Sequence, residues 1–262
     1  LSANTSHISN IRERLSILAS YQGVISIKYP DMNESESGKL IAKDGNRYEI
    51  LVNGRHSSTR QNFTLAHEIC HTFFKGPSEI GGYFCEDSHE EKLCDIGASE
   101  IIYSNENFND MPFTISTLTE VSTKLNVSYE ATAIKMVKSG KWANVGLILW
   151  KKKLKMHQNL EQAAFWKEYE DKEVYRVHYS FFNNDIYIPQ NKSVNIGNII
   201  DVASTGIISK GIIQLNLMPV HSISLEAISI YKNMVLSLAS NVNILSLKPK
   251  KNKKEIEKGN LF

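Results

Sequence analysis

The chain predicts an α+β protein in which a small sheet packs on helices and a mainly β second module follows. Three observations predict it. Apolar residues recur at three- and four-residue spacings around Ile8–Leu18 and again around Phe63–Phe74, the helical period. Between these stretches lie short runs of strand-forming residues divided by turn residues. From Val145 onward, strand-like runs predominate. A chain of 262 residues with 42% hydrophobic content can bury one large core or two modest ones.

Composition removes several classes of function. The formal net charge is +2 and the charged fraction 22%, so the chain as a whole is no polybasic nucleic-acid binder. No apolar run approaches the roughly 20 residues that span a bilayer, so no membrane partner is expected. The N-terminus lacks the basic-then-apolar pattern of a secretory signal, and a start at Leu1 points to a trimmed chain. Cys70, Cys85 and Cys94 are odd in number and closely spaced, unlike a disulfide scaffold. A reducing, cytoplasmic setting is the expectation.

In order, Ile8, Ile11, Leu15 and Leu18 mark a first helix, with Ser6 or Ser9 as its cap. Gly23 ends it. Val24, Ile25 and Ile27 form a strand that stops near Pro30. Leu40–Ile41 and Tyr48–Val52 form two more strands, joined by the turn residues Asp44, Gly45 and Asn46. A second helix is expected from about Arg60 to Phe74, closed by Gly76-Pro77. It is apolar over most of its surface, as a buried helix is.

That helix contains His67-Glu68-x-x-His71. Residues four apart share a helical face, so both imidazoles can point at one metal ion. Glu68 stands beside the first of them, within reach of a water on that metal. Buried histidines flanking a glutamate need charge compensation, which a Zn²⁺ ion supplies. Cys70 points away from His71 and reads as core. Sites of this kind take a third ligand from a separate helix. The next helix, starting near Asp87 or Ser88, offers Glu91, with Glu86, Asp87, His89 and Glu90 as competitors. Glu90 reads as a solvated residue.

The wording of this region resembles the ImmA/IrrE family of zinc metallopeptidases. The residues that carry the resemblance are Arg60-Gln61-Asn62-Phe63-Thr64-Leu65-Ala66-His67-Glu68-Ile69-Cys70-His71, then Glu91-Lys92-Leu93-Cys94-Asp95-Ile96-Gly97-Ala98. The resemblance implies a compact zincin-like core, with His67, His71 and Glu91 as ligands of one Zn²⁺ and Glu68 as the base. It also implies that Asp95 supports a ligand histidine, as such ligands require. Cys70 stands where the family has glycine, Cys94 where it has alanine, and Gly97 where it has phenylalanine. Tyr103-Ser104 replaces the usual Met-Pro.

Thr117-x-x-Glu120 reads as a capping box, and Ser128 as the cap of a following helix. This helix-turn-helix-like pair over 117–138 carries Lys135 and Lys138 but few other residues suited to reading DNA. Packing is the favoured role, and direct DNA binding the weaker one. Lys151–Lys155 reads as a solvated edge or linker. A short helix is expected over 160–172, and strands at Val174–Tyr179, Asp185–Ile188, Ile207–Leu217, 223–231 and 234–238. The expected domains are a metallopeptidase domain over 1–142, a β module for substrate recognition or sensing over 143–247, and a charged tail over 248–262. Some members of the family carry a GAF-like module in the second position.

These readings imply a zinc-dependent endopeptidase with Glu68 as proton acceptor. A donor for the developing oxyanion is also needed, and the sequence offers Tyr83, His89, Tyr103 and His56 without choosing. Resemblance implies a helix-turn-helix repressor as substrate, whose cleavage releases a stress, mobile-element or defence response. The alternatives are a non-proteolytic zinc-containing regulator and a protease effector that attacks another host protein.

Overall fold

A computed structural model describes residues 10–74, 88–103, 105–154, 173–184, 186–191, 199–215 and 220–245. The chain divides into two compact units, Leu1–Lys141 and Trp142–Phe262.

In the first unit, helix α1 spans Ile11–Tyr21 and buries Ile11, Leu15, Leu18 and Ala19. Its cap is Asn10, whose side chain accepts from the backbone N–H groups of Arg12 and Glu13. Ser6 and Ser9, the expected caps, lie outside the described residues. Gly23, at φ +78°, makes the turn into β1 (Val24–Lys28). Strands β2 (Gly38–Lys43) and β3 (Arg47–Val52) form a hairpin through Asp44–Asn46, with Gly45 and Asn46 at positive φ. The sheet order is β1-β3-β2, with β1 parallel and β2 antiparallel to β3. Strand β2 is therefore an edge.

Helix α2 (Ser58–His71) begins at the Ser57 cap and buries Leu65, Ala66, Ile69 and Cys70. Polar side chains fix its approach. Gln61 Nε2 donates to the carbonyls of Asn53 and Gly54, and Asn62 Nδ2 donates to that of Asn126. Asn53 is fully buried and donates to the carbonyls of Asn33 and Glu36. It thereby shapes the loop that delivers the chain to β2. Helix α3 (Ser88–Ile102) packs on α2. The buried Arg14 closes its C-terminal end by donating to the carbonyls of Ile101 and Ile102 at 2.9 and 2.7 Å. A cation on terminal helix carbonyls satisfies orphan acceptors and complements the helix dipole.

A 3₁₀ turn at Asn105–Phe108 leads to α4 (Ile115–Leu125) and α5 (Tyr129–Lys138). Ser128 caps α5. The cap of α4 is Thr114, three residues before the expected Thr117, which is instead buried inside the helix. Lys135 is 8% exposed and forms an ion pair with Glu100 of α3. It is a packing residue with its charge already committed.

The second unit is a five-stranded antiparallel sheet of order β5-β4-β8-β7-β6. The strands are β4 (Gly146–Leu154), β5 (Glu173–Phe182), β6 (Ser209–Leu215), β7 (Val220–Tyr231) and β8 (Met234–Leu245). A short helix, α6 (Ile199–Ser204), buries Ile200 and Ala203 in a core with Ile148, Trp150, Val177, Ile223 and Val235. The buried Trp150 Nε1 donates to Ser237 Oγ at 2.8 Å, which satisfies the indole inside that core.

Two expectations are corrected in this unit. The basic run is no linker: Lys151–Leu154 continues β4, and Lys152 pairs with Glu173 at 2.7 Å. Ile186–Pro189 is not a strand. Asn184 Oδ1 accepts from the Ile186 N–H, a local turn bond, and Pro189 has no N–H for a ladder. Ile188 is nevertheless buried at 1% exposure, and Ile186 packs partly against the same core, while Tyr187 is exposed. The expected helix over 160–172 and the tail over 248–262 lie outside the described residues.

Candidate metal centre

Helices α2 and α3 bring three ligand-type side chains together. His67 Nε2 and His71 Nε2 lie 3.1 Å apart. Glu91 Oε2 lies 3.2 Å from the first, and Glu91 Oε1 lies 3.3 Å from the second. The histidines share a face because they stand four apart on α2, and Glu91 reaches them from the start of α3.

The opposite edge of each imidazole is held by a carboxylate. His67 Nδ1 lies 3.0 Å from Asp95 Oδ1, and His71 Nδ1 lies 2.7 Å from Glu90 Oε1. Carboxylates accept, and each ring has its nearer carboxylate at Nδ1, so these contacts favour the tautomer with the proton there. The Nε2 atoms are then left as lone-pair donors facing one another and Glu91. Three electron-rich groups at this separation repel unless a cation lies among them.

The spacing suits a small dication. Zinc bonds of 2.0–2.1 Å at tetrahedral angles set neighbouring ligand atoms roughly 3.3–3.4 Å apart. The observed 3.1–3.3 Å falls close to that. Two imidazoles and a carboxylate, each imidazole backed by another carboxylate, form a donor set that zinc accepts.

Glu68 is buried at 7% exposure, and a Cβ built on Gly38 would fall 2.9 Å from its Oε1. The absence of a side chain at position 38 thus lets the edge strand β2 approach this carboxylate closely. Burial, and secondarily the charge of Glu91, pushes the Glu68 pKa up to about 8. Among the described residues, Glu68 is the buried acid next to the cluster that is not engaged with an imidazole nitrogen.

The four oxyanion candidates fare differently. Tyr103 is 2% exposed, and its hydroxyl bonds Thr132 Oγ1 at 3.0 Å, which also accepts from Ser122. It is a core tyrosine that joins α3 to α4 and α5, and burial raises its pKa. The oxyanion role considered for it is therefore withdrawn. His56 sits in the loop after β3 with Nε2 3.4 Å from the Glu34 carbonyl, and makes no hydrogen bond to the histidine cluster. His89 is exposed in the first turn of α3. Tyr83 lies outside the described residues, as does Cys85.

Two features escaped the sequence. Glu90, expected to be solvated, has a side chain only 17% exposed and engages His71. Adjacent helical residues point in different directions, so a helix that offers Glu91 to the site gives no reason to expect Glu90 there as well. The pairing of positions 70 and 97 is the second. A Cβ at Gly97 would lie 2.7 Å from Cys70 Sγ. The thiol therefore occupies room that the missing side chain leaves.

A family model described as the IrrE N-terminal-like domain, of the peptidase M78 group, matches residues 20–137. No curated protein matches the chain. Among solved structures, a Mycobacterium tuberculosis transcriptional regulator is similar at TM-score 0.51 and 8% identity, over 91% of this chain and 73% of that one. At that identity the likeness is one of fold. No helix among the described residues is long and apolar enough to cross a membrane.

Proposed function

Since residues 20–137 of this chain belong to the IrrE N-terminal-like domain family of peptidases, we propose that it is a zinc-dependent endopeptidase acting on an intracellular protein. The observation that carries this reading is the convergence of His67 Nε2, His71 Nε2 and Glu91 within 3.3 Å of one another beside the buried Glu68.

His67, His71 and Glu91 would hold one Zn²⁺. When bound, the ion lowers the pKa of water and polarises a carbonyl. Asp95 keeps His67 with its lone pair toward the centre. Glu68 is the proton carrier of the chain: it takes the proton of the attacking water and passes it to the leaving amine. Its burial keeps bulk water from competing for that proton. Strand β2 lies at the sheet edge, and Gly38 lies against Glu68. An extended peptide adding to this edge would bring its carbonyl past the carboxylate.

The substrate we favour is a helix-turn-helix transcriptional repressor, whose cleavage would release a stress, mobile-element or defence response. Direct DNA binding by α4–α5 is disfavoured because Lys135 is buried and paired with Glu100. A protease effector with another host target shares the chemistry and differs only in substrate.

The test uses wild type and Glu68→Gln, each loaded with zinc, incubated with helix-turn-helix repressors from the same cell. Cleavage by wild type alone is expected. Cleavage by both proteins would remove Glu68 from the mechanism, and cleavage by neither would exclude that substrate.

A further inference from the structure

His71 is gripped from both edges of its ring. Nε2 faces His67 and Glu91, while Nδ1 lies 2.7 Å from Glu90 Oε1. A neutral imidazole carries one proton, and the nitrogen that keeps it is the one facing the stronger acceptor. An anionic carboxylate at 2.7 Å makes a short, charge-assisted bond and fixes that proton on Nδ1. We propose that Glu90 is a positioning residue for the metal: it locks His71 in the tautomer and ring orientation that present the Nε2 lone pair to the centre. This inference rests on the metal-centre reading above and extends it to a residue outside the ligand set.

Three observations support the assignment. The Glu90 side chain is 17% exposed and that of Asp95 63%, so the bond to His71 is the better shielded from water. A shielded charge-assisted bond orients more strongly than an exposed one. Helix α3 also supplies the ligand and both orienting carboxylates, Glu90, Glu91 and Asp95, so one rigid element sets all three. Finally, Glu90 bonds the nitrogen that points away from the three-ligand cluster. It cannot join Nε2 in one coordination shell, which separates its role from that of Glu91.

His71, Glu90 and Cys94 also lie within mutual reach as ligand types. Cys94 is fully buried and serves the core of this unit. The 2.7 Å contact with His71 Nδ1 is the one through which Glu90 bears on the centre.

The test measures zinc affinity of the full chain by competition with a chromophoric chelator. The variants are Glu90→Ala, Glu90→Gln, Asp95→Ala and, as a control, the exposed Lys92→Ala. Glu90→Ala is expected to weaken zinc binding about 10- to 100-fold, and more than Asp95→Ala. Glu90→Gln keeps an acceptor oxygen and is expected to fall between Glu90→Ala and wild type, while Lys92→Ala stays at wild type. Nitrogen-15 spectra of the metal-free proteins should show the His71 proton on Nδ1 in wild type and shared between the two ring nitrogens in Glu90→Ala, a signature that a merely structural role would not move. Wild-type affinity in both Glu90 variants, or the same His71 tautomer in metal-free wild type and Glu90→Ala, would overturn the inference alone. Wild type that takes up no zinc would overturn the metal-centre reading and this inference with it.

Discussion

His67 Nε2 and His71 Nε2 face each other at 3.1 Å while each ring gives its other nitrogen to a carboxylate. That arrangement leaves two lone pairs and Glu91 in mutual contact, so a cation should stabilise the folded chain markedly. Free zinc at about 100 times its dissociation constant should add about 2.7 kcal/mol to stability. Thermal unfolding with and without zinc measures this. His67→Ala, His71→Ala and Glu91→Ala should each abolish the zinc-dependent shift. Glu68→Gln should keep it, because Glu68 is outside the three-ligand cluster.

Gly38 leaves no room for a side chain. An added Cβ would meet Thr64 Cγ2 at 2.5 Å, Glu68 Oε1 at 2.9 Å and the Leu51 carbonyl at 3.0 Å. Overpacking of this kind costs about 1–3 kcal/mol. Gly38→Ala should therefore lower the urea midpoint and displace the Glu68 carboxylate. Proteolytic activity should fall by at least about tenfold, in line with the sensitivity of catalysis to misplaced groups. Zinc affinity should change little, since the atoms nearest this position belong to Thr64, Glu68 and Leu51 rather than to the candidate ligands. A stable, fully active Gly38→Ala would refute the close approach of β2 to Glu68.

Cys70 and Cys94 are 5% and 0% exposed, and burial pushes their thiols up to about 11 and about 12. The reactive form is the thiolate. Raised pKa values keep both groups protonated through the neutral range, and the fold shields them as well. Alkylation at pH 8 should label neither residue in the folded protein and both in urea, read by peptide mass mapping. Rapid labelling of Cys94 in the folded state would show that α3 opens away from α2.

The candidate centre was partly legible in the sequence, where its logic is local. His67 and His71 are related by one helical turn, and turn spacing survives in a linear string. Glu91 needed the resemblance, since no spacing rule spans the stretch between α2 and α3. Glu90 and Gly38 were not legible, because each matters through a contact with a distant element. The hairpin turn at Gly45–Asn46 was readable from residues that favour positive φ. The cap of α4 was misplaced by one turn because Thr114 and Thr117 are both good caps, and only the burial of Thr117 decides between them. Lys135 looked available to a partner until α3 supplied Glu100.

The contact between Cys70 and Gly97 yields a test of how this chain accommodates its departures from the family wording. Gly97 lies on α3 opposite α2, where a Cβ would stand 2.7 Å from Cys70 Sγ and 3.6 Å from Cys70 Cβ. Both residues sit in the α2–α3 contact that aligns Glu91 with the histidines. Gly97→Ala alone gains helix propensity of about 1 kcal/mol but meets the buried sulfur, at a cost of about 1–3 kcal/mol. Cys70→Ala alone removes the sulfur and leaves a small void. In the double variant the new methyl enters that void, so the clash disappears while the propensity gain remains. Urea unfolding of the four metal-free proteins should give a favourable coupling of about 1 kcal/mol or more, because contacting residues are not additive. Additivity within about 0.5 kcal/mol would mean that α2 and α3 shift apart to admit the methyl. In that case Gly97→Ala should also weaken zinc binding, since the same shift would draw Glu91 away from His67 and His71.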